Sequence, residues 1–293
     1  MTGHHDIRIG TLLPMSKGAN YIRQMLPHGF ESFGLTFWKQ FQEMDYDRVS
    51  KEILETIGDR AVISSITLFG NPLQEPDVAR GIARCIDLCE KFNCRLFSGF
   101  AGAIEGKPVP ESMPQLKKVW AELAKRAADR GVRIAFENCD MGGTWRDARW
   151  NIAHAPQAWE MIFDALPHDN VGLEWEPCHQ LNSLADPLPQ LRRWVKKVFH
   201  VHGKDATVAW DVIREHGIRG GVPYVWHRTP GFGDTNWTDV ISILRMGGYV
   251  GSIDIEGWHD PVYRDELETT GQVYALNYLK RCRGGEYVRN PAE

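Results

Sequence analysis

The sequence predicts an α/β protein of the (β/α)8 TIM-barrel class. Short apolar runs rich in Val, Ile and Phe alternate with longer helical patterns through most of the 293 residues. Eight such runs can be placed, the number a closed barrel needs. The turn after the first run, TLLPMSKGAN, contains neither GxGxxG nor GxxxxGK[ST]. An open doubly wound sheet, the competing architecture, would be expected to carry one of these phosphate loops there. Barrels of this class are commonly single units of about 250 residues, so residues 1–293 are read as one domain.

Ile7–Leu13 reads as the first strand, Phe30–Phe37 as a weaker second and Ala61–Phe69 as a clear third. Cys94–Phe100, Val132–Glu137, Val171–Trp175, Val198–His202 and Tyr249–Glu256 complete the set. Helical periodicity covers Asp47–Ile57, Glu75–Phe92, Pro114–Arg130, Pro156–Leu166, Leu188–Val195, Trp237–Met246 and about Arg264–Lys280. Gly131 and the Gly247-Gly248 pair supply C-terminal stops. Two connections are long. One spans Gly99–Met113. The other spans Gly203–Asn236 and holds a short helical stretch at Trp210–His216; connections of this length usually carry function.

Composition narrows the function. A net charge of −4 with no dense basic stripe argues against nucleic acid. No run of eighteen apolar residues is present, so a membrane span is not expected. The start, MTGHHDIRIG, lacks the apolar run of a signal peptide. His4 and His5 read as a loose terminus rather than ligands. Six cysteines without a CxxC pair read as reduced thiols, and the chain as cytoplasmic.

Four predicted strands end in side chains that can hold a metal: Glu137 in RIAFEN, Glu176 in GLEWEP, His202 in VFHVHGKD and Glu256 in SIDIEG. In a barrel these ends meet at one mouth. Three carboxylates and one imidazole favour a divalent ion. Mn2+ is the leading candidate, with Mg2+, Co2+, Zn2+ and Fe2+ compatible. Side chains at i and i+2 share a strand face. Glu174 therefore lies beneath Glu176, His200 beneath His202 and Asp254 beneath Glu256. These inner groups can be buried only if they pair, and pairing would orient the ligands above them. Parity turns Trp175 the opposite way, toward the outer helices. Trp258, Trp226, Trp38, Phe37 and Phe69 are candidates for a pocket wall. Aromatic faces suit the apolar face of a sugar ring.

The chain resembles the xylose-isomerase-like family of TIM barrels, the sugar phosphate isomerases/epimerases. Glu137 matches the family's mid-barrel Glu. Glu176-Pro-Cys-His179 matches its Asp-Pro-x-His segment, with Glu in place of Asp. His202-Gly-Lys204-Asp205 matches His-x-Lys-Asp. Pro230-Gly-Phe-Gly-Asp-Thr-Asn-Trp237 matches the Pro-Gly-x-Gly-x-x-x-Trp loop, and Glu256 matches the terminal Glu. The resemblance implies that Glu137, Glu176, His202 and Glu256 hold the metal, with Glu137 and Glu256 also moving protons. It implies that His179, expected in a loop, contacts substrate. Arg228 is a further candidate for a substrate oxygen. Lys204 either meets the acids or pairs with Asp205 to close its loop.

Such a site can remove a proton beside a carbonyl and stabilise the resulting enediolate. Isomerisation or epimerisation of a small ketose or polyol ketone is the leading expectation. The alternative is β-elimination from a keto-sugar, by a dehydratase or by the catalytic subunit of an enzyme cleaving a keto-C-glycoside. A non-catalytic sugar-binding or assembly barrel would keep the aromatic pocket without converging bases. A metal-dependent endonuclease of the same superfamily would need a His-rich three-metal cluster and a basic face, which this sequence lacks. The expected partner is a small-molecule carbohydrate. The resemblance further implies self-association, with a second subunit in some glycoside-cleaving relatives.

Overall fold

The computed structural model describes residues 6–286, 288, 290 and 291; His4 and His5 lie outside them. Eight parallel strands close a barrel. They are β1 (Arg8–Pro14), β2 (Ser32–Trp38), β3 (Val62–Phe69), β4 (Leu96–Gly99), β5 (Arg133–Glu137), β6 (Val171–Trp175), β7 (Val198–Gly203) and, last in the chain, β10 (Ser252–Ile255). Spatial order follows chain order, and β1 pairs with β10 to shut the ring. Both strand faces are covered, which is why the strands read as near-continuous apolar runs.

The surrounding helices include α1 (Gly18–Met25), α2 (Tyr46–Ile57), α3 (Pro76–Leu88), α4 (Met113–Ala128), α5 (Pro156–Ala165), α6 (Pro177–Asn182) and α7 (Pro187–Trp194). Their starts reflect local chemistry. Asp45 accepts the Arg48 amide at α2, and Asp186 accepts the Leu188 amide at α7. Pro stands at the first turn of α3 through α7, where its missing N–H costs nothing.

The fold and strand order match the expectation, and three local elements differ from it. Helix α1 fills the first crossover; it is short, and Gly18 in its first turn hides its periodicity. Helix α6 begins directly after Glu176, so His179 stands on a helix rather than in a loop. The long connection after β7 contains an antiparallel hairpin, β8 (Asp205–Val208) with β9 (Val225–Arg228), with the expected helix α8 (Trp210–His216) between them. Helix α9 (Trp237–Met246) and the final helix α10 (Glu268–Arg283) complete the shell.

Inside the barrel, Asp254 accepts hydrogen bonds from Ser32 Oγ at 2.5 Å and from Ser64 Oγ. Gly10 leaves the room for them. A Cβ at that position would stand 2.1 Å from Ser32 Oγ and 2.2 Å from Asp254 Oδ1. Gly10→Ala should therefore lower the unfolding free energy by about 1–3 kcal/mol through overpacking. Denaturant midpoints would measure it, and an unchanged midpoint would contradict this packing.

Candidate metal and acid–base site

The barrel axis carries a chain of alternating charge. His200 Nε2 donates to Asp254 at 2.9 Å, and His200 Nδ1 donates to Glu174 at 2.6 Å. Both partners of this imidazole are carboxylates, so both nitrogens hold protons and the ring is cationic. Burial opposes that charge, but Asp254 and Glu174 outweigh it and raise the His200 pKa to about 9. Burial likewise works against ionised Glu174, and the His202 and His200 imidazoles hold it down at about 2. One step nearer the mouth, His202 Nε2 lies 3.1 Å from Glu174 Oε1. Asp254, His200, Glu174 and His202 thus link the barrel floor to the mouth.

At the mouth, one ligand atom from each of Glu137, Glu176, His202 and Glu256 lies within 4.8 Å of the other three. All four side chains are buried. His202 Nδ1 is 3.2 Å from Glu256 Oε2 and 3.5 Å from Glu137 Oε1. Glu137 ends β5, while Glu176 and Glu256 stand one residue beyond β6 and β10. Glu176 keeps extended dihedrals, φ −143° and ψ 142°, as the residue before Pro177 is constrained to do.

These residues fit a divalent ion. Glu137 Oε2, both Glu176 carboxylate oxygens, His202 Nδ1 and Glu256 Oε2 are buried without a hydrogen-bond partner. Donors this close, yet not aligned on one another, are placed for a common ligand at their centre. On the opposite edge of the His202 ring, Nε2 is 3.1 Å from Glu174 Oε1 and is likewise buried without an aligned hydrogen-bond partner. The carboxylate beside Nε2 favours the proton on that nitrogen, which leaves Nδ1, facing the acids, as the ligand atom.

The two outer acids differ in their surroundings. Glu256 Oε1 accepts from Lys204 Nζ at 2.9 Å and lies 3.0 Å from His259 Nε2. Burial alone would raise the pKa of Glu256; Lys204 holds it well below the usual carboxylate range. Lys204 is buried too, and its proton is retained by Glu176 and Glu256. Glu137 has no lysine or arginine partner among the described residues. Burial pushes it up to about 8 despite His202. His179 Nε2 lies 2.7 Å from Glu176 Oε1. His227 stands beside His179, with ring centroids 5.3 Å apart, and burial followed by the Lys204 charge depresses it to about 4.

The donors open into a cavity of about 440 Å3, whose lining includes Trp38, Phe69, Phe100, Glu137, His179, Lys204, His227, Glu256 and Trp258. Phe37 lies instead behind Trp38, in an adjoining cavity. Trp226 and Arg228 do not line the main cavity. They share one face of β9, where Arg228 Nε donates to Asp260 at 3.1 Å, while His227 on the other face enters the mouth. The hairpin sets that parity, and its short strands leave no pattern from which it could be read. Lys204 goes to the acid cluster. Asp205 instead pins the following loop, accepting from Thr235 N and Oγ1 and from Trp237 Nε1. His259 is a further site residue that the sequence reading missed, although Glu256-Gly-Trp-His259 repeats the spacing of Glu176-Pro-Cys-His179.

A family model described as xylose isomerase-like TIM barrel matches residues 22–282. The chain belongs to this family. The inosose dehydratase of Clostridium perfringens is 25% identical over 166 residues, covering 54% of this chain and 51% of that protein. The inosose isomerase of Halalkalibacterium halodurans is 26% identical over 151 residues, covering 51% of this chain and 48% of that protein. The chain spans about half the length of the curated relatives it matches. Among solved structures, a xylose isomerase-like TIM barrel protein from Mycobacterium smegmatis in complex with magnesium superposes with a TM-score of 0.70 at 16% identity, covering 97% and 100% of the two chains. The 3-keto-D-glucoside 4-epimerase of E. coli gives 0.69 at 13% identity, covering 94% and 100%. At these identities the structural matches show the fold alone. No helix among the described residues is long and apolar enough to cross a membrane.

Replacing His200 by Phe would remove the cation that the Glu174 and Asp254 carboxylates share. A loss of about 3–5 kcal/mol is expected, as for other buried pairs with one partner removed. Equilibrium urea unfolding would measure it, and a loss below that of an ordinary core substitution would contradict the linked-charge description.

Proposed function

We propose that this protein is a divalent-metal-dependent lyase that eliminates a group β to the ketone of a sugar or cyclic polyol, dehydration being the simplest case. The supporting observation is the unequal setting of the two outer acids. Epimerisation calls for two comparable bases on opposite faces of a carbon. Elimination calls for a base at one carbon and a proton donor at the next. Glu137, which lines the cavity and has no lysine or arginine partner among the described residues, suits the first role. His259, on Glu256, suits the second, while Lys204 keeps Glu256 ionised.

Glu137, Glu176, His202 and Glu256 would hold the ion, with Mn2+ favoured by the donor set and Mg2+ compatible. Bound there, it would supply positive charge beside the ketone oxygen as negative charge develops. Glu137 then accepts the proton on the carbon next to the ketone. The electrons of that C–H bond form a C=C bond, and the C–O bond at the next carbon breaks. His259 delivers a proton to the departing oxygen, which leaves as water. His179 is placed to bind a substrate hydroxyl. The inosose dehydratase relatives support this reading over the isomerase expected from the sequence. The inosose isomerase keeps the latter as a second reading.

Turnover of an inosose by metal-reconstituted protein in deuterated water tests the proposal. An unsaturated ketone should appear; an epimer without it would establish the isomerase. Glu137→Gln should lower the rate by about 100-fold or more. Glu256→Gln should suppress turnover far more than it shifts the melting temperature. Unchanged turnover in either variant at matched metal occupancy would remove that residue from the reaction.

Chelation should also lower the melting temperature. Re-addition of Mn2+ at about 100 times its dissociation constant should restore about 2.7 kcal/mol. His202→Ala should abolish that response in calorimetry; a retained response would place the ion elsewhere.

A further inference from the structure

Beyond the acids the cavity wall changes character. From His202 a row of rings runs outward. Phe69 lies 6.5 Å away between centroids, Trp38 is 6.0 Å beyond Phe69, and Trp150 stacks on Trp38 at 5.9 Å and 24°. Phe100 flanks Phe69 at 5.2 Å. Exposure rises from 6% at Phe69 to 58% at Trp38, Trp150 beside it is half-buried, and Trp258, 37% exposed, lines the same space. A second cavity of about 260 Å3 shares Trp38, Phe69 and Trp258 with the first.

The backbone that holds this wall is strained. Lys39, Met141 and Trp150 have φ of 62°, 50° and 47°. These are left-handed conformations that residues with a Cβ disfavour, and such strain persists only where surrounding contacts impose it. The contacts are visible here. The Lys39 ammonium sits over the Trp150 ring at 4.8 Å, and Met141 and Trp150 pack against Phe69, Phe100 and Cys139.

A keto-polyol does not match such a surface. Its hydroxyls need polar partners, which His179, His227, Lys204 and the acids provide at the floor; pressed against carbon they would be desolvated at a cost. One aromatic plane serves the apolar face of a sugar. A contiguous row leading toward solvent serves a flat group without hydroxyls.

We propose that the row from Phe69 through Trp38, faced by Trp258, is a subsite for an aryl substituent carried by the sugar, so that the substrate class is an aryl-substituted keto-sugar. This rests on the lyase reading only in placing the sugar ketone at the acid cluster. The aryl group lies along Trp38 with its outer edge in solvent.

Calorimetric titration of metal-reconstituted protein with phenyl glucoside, methyl glucoside and a disaccharide, each in both anomers, tests this without turnover. The phenyl glucoside should bind about tenfold or more tightly than the methyl glucoside, and more tightly than the disaccharide. Trp38→Ala and Trp258→Ala should each erode the preference, and Trp38→Phe should retain most of it. Both tryptophans are substantially exposed, so their removal leaves the core intact. Equal affinities, no binding of either glucoside, equal or tighter binding of the disaccharide, or a preference that survives in both alanine variants would overturn the subsite. A phenyl preference without elimination of a keto-sugar would uphold the subsite and fail the lyase reading alone.

Discussion

A carboxyl group inside a protein must meet positive charge or hydrogen-bond partners, and this barrel encloses five around one axis: Glu137, Glu174, Glu176, Asp254 and Glu256. The arrangement of the interior answers that demand. His200 is clamped between two of them, His202 touches three, and Lys204 reaches across to Glu256. Small residues at Gly10, Ser32 and Ser64 make way for the innermost acid. Closure of the sheet is what brings these charges together, because β5, β6, β7 and β10 are neighbours in the ring.

Much of this was legible in the sequence. Strands buried on both faces leave continuous apolar runs, so the eight-stranded order could be read without knowledge of any contact. The i, i+2 spacing at Glu174/Glu176, His200/His202 and Asp254/Glu256 placed a polar layer under the mouth, and the structure places the inner members in one linked chain. Elements shorter than two turns were less visible. Helix α6 spans six residues and β8 and β9 four each, too few for a periodic pattern to emerge. Without the hairpin the sequence offers no parity for β9, and only the structure turns His227 into the mouth and Trp226 and Arg228 to the other face. The strained loop that brings Trp150 against Trp38 leaves no periodic trace either.

The site also shows how one scaffold can be biased between reactions that begin alike. Proton loss beside a ketone is common to isomerases and dehydratases. The fate of the resulting enediolate depends on whether the next group in reach is a second base or a proton donor. Under the proposed reading that choice would turn on the surroundings of Glu256, chiefly His259, rather than on the convergence of Glu137, Glu176, His202 and Glu256.

The proline after Glu176 has a consequence of its own. Helix α6 is barely more than a turn, and so brief a helix frays readily. The backbone that carries the Glu176 carboxylate does not depend on that helix for its extended dihedrals. The pyrrolidine ring restricts the preceding residue sterically, through covalent structure already present in the nascent polypeptide. His179, three residues further on, enjoys no such guarantee. Warming that loosens the turn would set the imidazole adrift while the backbone beneath the acid stayed extended, so the two ends of a four-residue segment can have unequal lifetimes of order.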